Sequence, residues 1–308
     1  MPLLTADARG VFVISVTPFL PDGRIDHDSL DRVTDFYLEK GATGLTILGI
    51  MGEAHKLTQA EARAVSARVI ARAGAVPVIV GVSAPGLAAM TELSAAVMDM
   101  GASGVMVAPP GALRTDAQIV SYFTEAAAAV GYGVPVVVQD YPLVTGVQID
   151  PATIRRIVDT LPQVVMLKHE DWPGLAKITA LRRAEAAGGR RISILCGNGG
   201  LFLPEELGRG ADGAMTGFAF PEMLAQVVSL AQAGDAERAQ DLFDAHLPLV
   251  RYEQQPGAGL AVRKYVLARR GAIASEAQRA PGAALPPEAR AEVDRMIARL
   301  ERRLADLG

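Results

Sequence analysis

Apolar positions along this chain recur with two periods. Short apolar runs bounded by Gly, Pro or Asp alternate with longer stretches in which apolar residues return every three or four positions. The first pattern reads as buried strand and the second as amphipathic helix. Strand-like runs fall at Val11–Phe19, Gly44–Gly49, Val76–Ser83, Gly104–Pro110, Pro135–Pro142, Val164–Glu170, Ile192–Gly197 and Gly213–Gly217. Helical stretches lie between them: Asp28–Lys40 stopped by Gly41, Gln59–Ala73, one ending near Met100, Thr115–Val130, Ile149–Thr160, Trp172–Ala187, and one after Pro221. Thr58 and Glu61 are spaced as a capping box for the second of these. Pro21-Asp22-Gly23 is turn chemistry.

Strands alternating with helices imply a parallel sheet, and eight such units at a spacing of roughly 30 residues are the count of a closed (β/α)8 TIM barrel. The competing doubly wound sheet lacks a Gly-x-Gly-x-x-Gly at its first helix. From about Asp235 onward the chain is helical in pattern and rich in Ala, Arg and Glu. It reads as two or three additional C-terminal helices packed on the barrel, with Pro281–Pro287 as the linker before the last. The expected division is therefore barrel over residues 1–232 and C-terminal helical extension over 233–308.

Composition narrows the function classes. The chain has 308 residues, 50% of them hydrophobic, which suits one barrel of this length. Net charge is −4 and the isoelectric point about 5.7. No basic patch suggests nucleic acid, and mild acidity disfavours an anionic membrane surface. A single cysteine, Cys196, allows no intrachain disulfide. The amino-terminal stretch has no charged-then-apolar leader pattern, and no apolar run reaches spanning length. The expected setting is cytoplasmic, and the expected partner is a small molecule.

Catalytic residues of such a barrel sit at the C-terminal ends of the strands. There the run Val164-Val165-Met166-Leu167 ends in Lys168, His169 and Glu170. A lysine at the end of a buried strand needs a reason, because burying an ammonium is expensive. Either a carboxylate pairs with it, or it loses its proton and attacks a carbonyl to form a Schiff base. Glu170 is two residues on and shares its face, as counter-ion or general base. His169 should face the helix layer as a structural residue. The loop Gly49-Ile50-Met51-Gly52-Glu53 frees backbone amides for an anion, and a carboxylate suits it better than a phosphate because no cation lies within it. Gln139 and Tyr141 share the other inward face after the fifth strand, with Asp140 between them pointing away. Asn198 and Thr216, after strands seven and eight, suit substrate hydroxyls. Cys196 reads as a small buried residue. His27, His55 and His246 have no metal-ligand spacing.

With these residues in view, the chain resembles the dihydrodipicolinate synthase / N-acetylneuraminate lyase family over nearly its whole length. The matching pieces are Val16-Thr17-Pro18-Phe19 with Asp22-Gly23, Gly49-x-x-Gly52-Glu53, Pro142 with Gly146, Lys168, and Gly197. The resemblance implies a Schiff base between Lys168 and a 2-oxo acid, with the Gly49–Gly52 loop holding the acid's carboxylate. It also implies a homotetramer and neither metal nor organic cofactor.

The departures are informative. Two hydroxyl residues of family synthases fall at Ile50 and Met51. The proton-relay tyrosine falls at Gln139, which cannot titrate. The arginine that grips a dicarboxylic substrate falls at Val144, and the tyrosine donated across the dimer falls in Pro109-Pro110-Gly111-Ala112-Leu113, which has no phenol. The chain looks closer to a subgroup typified by 2-keto-3-deoxy-L-arabonate dehydratase. It shares with that subgroup Gln139-Asp140-x-Pro142, Lys168-x-Glu170, Gly213-Ala214-Met215-Thr216-Gly217, and the Leu247-Pro248-Leu249 and Gly271–Glu276 segments. The expected function is a Schiff-base lyase acting on a 2-keto-3-deoxy sugar acid by dehydration or retro-aldol cleavage to pyruvate. In that scheme Tyr141 replaces the missing relay as acid. The alternatives are dihydrodipicolinate synthase itself, from pyruvate and aspartate semialdehyde, and a non-catalytic barrel that binds a small acid.

Overall fold

A computed structural model describes residues 2–172 and 174–307. Eight strands, β1 (Gly10–Ile14), β2 (Gly44–Ile47), β3 (Val78–Gly81), β4 (Gly104–Val107), β5 (Val136–Asp140), β6 (Val164–His169), β7 (Ser193–Cys196) and β8 (Gly213–Thr216), close into a barrel in sequence order. Every neighbouring pair is parallel, including β8 with β1. The helices around it are α1 (His27–Glu39), α2 (Gln59–Ala73), α3 (Leu87–Asp99), α4 (Asp116–Val130), the short α5 (Pro142–Thr145), α6 (Pro151–Thr160), α7 (Leu175–Ala186), the short α8 (Leu203–Gly208) and α9 (Pro221–Gln232). Three more follow: α10 (Ala236–Glu253), α11 (Gly259–Arg269) and α12 (Pro287–Leu307). No helix among the described residues is long and apolar enough to cross a membrane.

The capping box of α2 forms as its sequence requires, with Thr58 and Glu61 serving each other's backbone amides. Strand ends are shorter than the apolar runs. β1 stops at Ile14 rather than Phe19, and Pro18, further on, could not have continued a ladder. Phe19 instead forms an antiparallel bridge to Ile25 across the Asp22-Gly23 turn. The helix expected from Trp172 begins at Leu175. Pro173, inside the expected span, and Gly308, at the end of the expected extension, lie outside the described residues.

Two apolar layers result. Phe12, Ile14, Ile79, Met106, Val137, Met166, Leu195 and Met215 fill the barrel interior, with Leu4 from the amino-terminal segment buried against them. The outer layer lies between strands and helices and continues into α10–α12. A register shift between Val136 and Val137 puts an extra residue, Val165, into β6. Val165 and Met166 both pack on the interior cluster, whereas Val164 belongs to the outer one. This bulge sets the phase of the strand, so that Met166, Lys168 and Glu170 follow one another on the inward face.

Two expectations follow. A Cβ on Gly213, whose φ is +153°, would overlap the backbone carbonyl of Gly10, which cannot rotate away. Gly213→Ala should therefore cost roughly 1–3 kcal/mol or more in a denaturant melt, while Gly208→Ala, at a position with nothing within 4 Å, should be neutral to slightly stabilising. The second concerns acid. Hydrogen bonds from Arg279 are the largest of the influences that lower the Glu61 carboxyl, which falls to about 2 from an ordinary 4.5. A depressed carboxylate stabilises the fold fully above its unfolded value and loses that contribution as pH falls toward the folded one. The melting temperature should thus drop between about pH 4.5 and pH 2, and Arg279→Met should flatten that part of the curve.

Candidate active site

The inward face of β6 carries Lys168 to the open, C-terminal end of the barrel, above the Met-rich interior. Lys168 Nζ lies 2.9 Å from Glu170 Oε2. Gln139, in register with Lys168 on the neighbouring strand, donates from Nε2 to the same Glu170 oxygen at 2.7 Å. All three side chains are buried. The ion pair and the shared face expected from two-residue spacing are both present. The amide of Gln139 holds Glu170 without competing for its proton.

Glu170 is fixed from two further sides. Its backbone amide donates to Asp140 O at 2.9 Å. A Cβ on Gly197 would overlap Glu170 Cγ, so only glycine at the end of β7 leaves that carboxylate room. Tyr141 follows Gln139 at the end of β5 and is half-buried. Burial chiefly, and the Glu170 charge next, push its phenol up to about 12. The phenol therefore stays protonated through the neutral range and can donate a hydrogen bond.

The loop after β2 opens with a 3-10 turn, Ile50–Gly52, and a second, Ala54–Lys56, follows it. Gly52 N donates to Gly49 O at 3.0 Å and Glu53 N to Ile50 O at 3.0 Å. The Ile50 and Met51 amides, at the start of the turn, have no acceptor within it. Met51 packs on the interior cluster, and Ile50 is exposed. The turn so combines two free donors with an apolar wall.

Asn198 and Thr216 each make a hydrogen bond within the protein. Asn198 adopts a left-handed conformation (φ 49°), and its side-chain amide donates to Glu170 O at 2.9 Å. Thr216 is in register with Val13, which belongs to the outer layer. Its hydroxyl accepts from Gly199 N at 2.7 Å, so it braces the loop after β7 from the outer face. The pattern Gly213-Ala214-Met215-Thr216 is apolar on both faces and gave no phase by which to see this. Asp140 and His169 point outward, as alternation requires. Asp140 takes Lys177 at 2.6 Å, and His169 Nδ1 lies 3.0 Å from Glu206. Burial pushes the Cys196 thiol well above its ordinary value, which makes it an inert packing residue.

Sequence reasoning missed the contribution of α11. Arg263 and Lys264 are both buried; Arg263 bonds Glu253 and the Gly217 carbonyl, and Lys264 bonds Glu53. Two adjacent cations within Ala261-Val262-Arg263-Lys264-Tyr265-Val266 were the available signal, since charges on a core-facing helix require partners.

Comparison with known proteins gives the family. A profile of the Dihydrodipicolinate synthetase family matches residues 7–300. L-2-keto-3-deoxyarabonate dehydratase of Azospirillum brasilense is 31% identical over 299 residues, covering 95% of this chain and 94% of that protein. A 4-hydroxy-tetrahydrodipicolinate synthase of Sorangium cellulosum is 33% identical over 245 residues, 78% of each chain. A crystal structure of dihydrodipicolinate synthase from Rhodopseudomonas palustris superposes with a TM-score of 0.96 at 58% identity, covering 97% of this chain and 100% of that one. The chain belongs to the dihydrodipicolinate synthetase family and is a lyase of the class I aldolase and hydro-lyase type.

Proposed function

We propose that this lyase dehydrates a 2-keto-3-deoxy sugar acid through a Schiff base on Lys168. The observation that carries the reading is the buried Lys168–Glu170 pair at 2.9 Å, held on the inward face at the catalytic end of the barrel. Glu170 takes a proton from the Lys168 ammonium, and the freed amine attacks the C2 carbonyl. The nitrogen passes one of its remaining protons to the C2 oxygen and Glu170 returns the first, so that oxygen leaves as water and an iminium remains. The iminium draws electrons from C3, so Glu170 can remove a C3 proton to give the enamine. The C4 hydroxyl then leaves as a second water, carrying the proton Glu170 took from C3, while the Tyr141 phenol donates a hydrogen bond to it. Hydrolysis of the unsaturated imine restores Lys168. The Ile50 and Met51 amides hold the C1 carboxylate, and Asn198 Oδ1 is left to meet a substrate hydroxyl. Thr216 acts indirectly, by fixing the loop that carries Asn198. A homotetramer belongs to the same reading, and the exposed Leu143 and Val144 of α5, with Trp172 and Phe202 from the segments after β6 and β7, are apolar surface at the open end that a subunit interface would cover.

The names of the Sorangium and Rhodopseudomonas relatives favour a second reading, condensation of pyruvate with aspartate semialdehyde. Against it stand Gln139 at the relay position, Val144 where a dicarboxylate grip is required, and no phenol over Pro109–Leu113. A non-catalytic binder is disfavoured by the desolvation that a buried ammonium–carboxylate pair costs, since binding a small acid gains little from it.

A panel of keto-deoxy sugar acids, assayed for both loss of water and release of pyruvate, tests the proposal. Dehydration of at least one member is expected; pyruvate release alone would replace dehydration by retro-aldol cleavage. Turnover only with pyruvate plus aspartate semialdehyde would establish the second reading. Lys168→Met should lower kcat by on the order of 10⁴-fold or more, and Glu170→Gln by about 10²–10⁴-fold. Gly197→Ala should displace Glu170 and lower kcat by about 10²-fold with the fold intact by circular dichroism. Full activity of Gly197→Ala would remove Glu170 from the chemistry.

A further inference from the structure

Beneath the Gly49–Gly52 turn lies a buried charge cluster to which the C-terminal extension contributes Lys264 and Arg279. Glu53 is 0% exposed and holds a left-handed backbone conformation, φ 55°. Its carboxylate accepts from Lys264 Nζ, from Lys56 Nζ at 2.7 Å and from the backbone amide of Arg279 at 3.1 Å. Lys264 Nζ also donates to Thr17 O and to Ala277 O, each at 2.9 Å, so all three of its protons are used. Thr17 in turn donates its hydroxyl to Gly52 O at 2.6 Å. The last carbonyl of the turn and the side chain that follows it are thus both held from outside the loop. Arg279 fastens the segment that carries Ala277. Its guanidinium bonds Glu61 at 2.7 and 2.8 Å, Gly23 O at 2.9 Å and Lys56 O at 3.0 Å. The Phe19 ring lies under both Arg279 and Lys264.

The charges do not cancel. Glu53 brings one negative charge against the two positive charges of Lys264 and Lys56, while Arg279 is matched by Glu61. One unit of positive charge remains under a turn whose own side chains, Ile50 and Met51, carry none. A carboxylate above the turn gains from that excess, and it gains more if the Ile50 and Met51 amides are held still.

We propose that Lys264 and the segment Ala277–Arg279 set the enzyme's affinity for the substrate carboxylate, acting as positioning residues through Glu53 and Gly52. This rests on the reading that the turn receives that carboxylate. Part of the substrate grip that the turn's side chains do not supply comes, in this account, from the C-terminal extension.

The test compares pyruvate with pyruvamide, the same ketone without the charge. Each is titrated into the full-length protein, and the Lys168 adduct is trapped with borohydride and quantified by mass. Wild type should half-saturate with pyruvate at a concentration at least about tenfold below that for pyruvamide, a difference of about 1.4 kcal/mol. Arg279→Met should raise the pyruvate value about tenfold, leave the pyruvamide value in place, and keep the trapping rate at saturation within about twofold. Lys264→Met should do the same more strongly, and Lys264→Arg should restore part of the loss. Should Lys264→Met fail to fold, Arg279→Met decides. Unchanged pyruvate affinity in Arg279→Met, or equal weakening of both ketones, would overturn the proposal. A wild type that accepts both ketones equally would overturn instead its premise, the carboxylate at the turn.

Discussion

A single ion pair, Lys168 with Glu170, sets what the rest of this molecule has to provide. Taking an ammonium and a carboxylate out of water costs several kcal/mol per ion, and only close geometry with further hydrogen bonds offsets it. Each element near the open end contributes to that geometry. The bulge at Val165 brings Lys168 and Glu170 to the inward face. Gln139 supplies a donor that cannot titrate, Gly197 leaves the space, and Asn198 ties the loop after β7 to the Glu170 carbonyl. The apolar interior below keeps water from replacing the pair. The carboxylate that holds the ammonium is also within reach of its proton, which is why a costly arrangement is also a chemically useful one.

The second constraint comes from the far end of the chain. Consecutive residues of α11, Arg263 and Lys264, reach different segments at the mouth of the barrel. Arg263 reaches the end of β8 through the Gly217 carbonyl, with Glu253 as its partner; burial pushes that carboxyl up, and Arg263 opposes the shift. Lys264 reaches the loops after β1 and β2. Breaking the Arg263–Glu253 pair would leave a buried charge unmatched, at about 3–5 kcal/mol. The helices after α9 are therefore part of the catalytic end and not an outer coat.

Most of the architecture was legible because a parallel barrel buries both faces of every strand, and eight apolar runs separated by helical periods have few other solutions. The shared face of Lys168 and Glu170 follows from two-residue periodicity alone, and so does the outward direction of His169 and Asp140. What periodicity cannot supply is phase where both faces are apolar, which is how Thr216 was assigned to substrate. The run Val164–Met166 concealed a bulge for the same reason. The short α5 and α8 are too brief for a helical period to register. The pairing of Lys264 with Glu53 spans 211 residues, and no local pattern carries a contact of that range.

The central claim is that Lys168, paired with Glu170, is the nucleophile. Incubation of the wild-type protein with a 2-oxo acid, reduction with borohydride and peptide mapping addresses it most directly. The account predicts a reduced adduct on the peptide containing Lys168, and only there. An adduct on another lysine, or none with any 2-oxo acid, would contradict it.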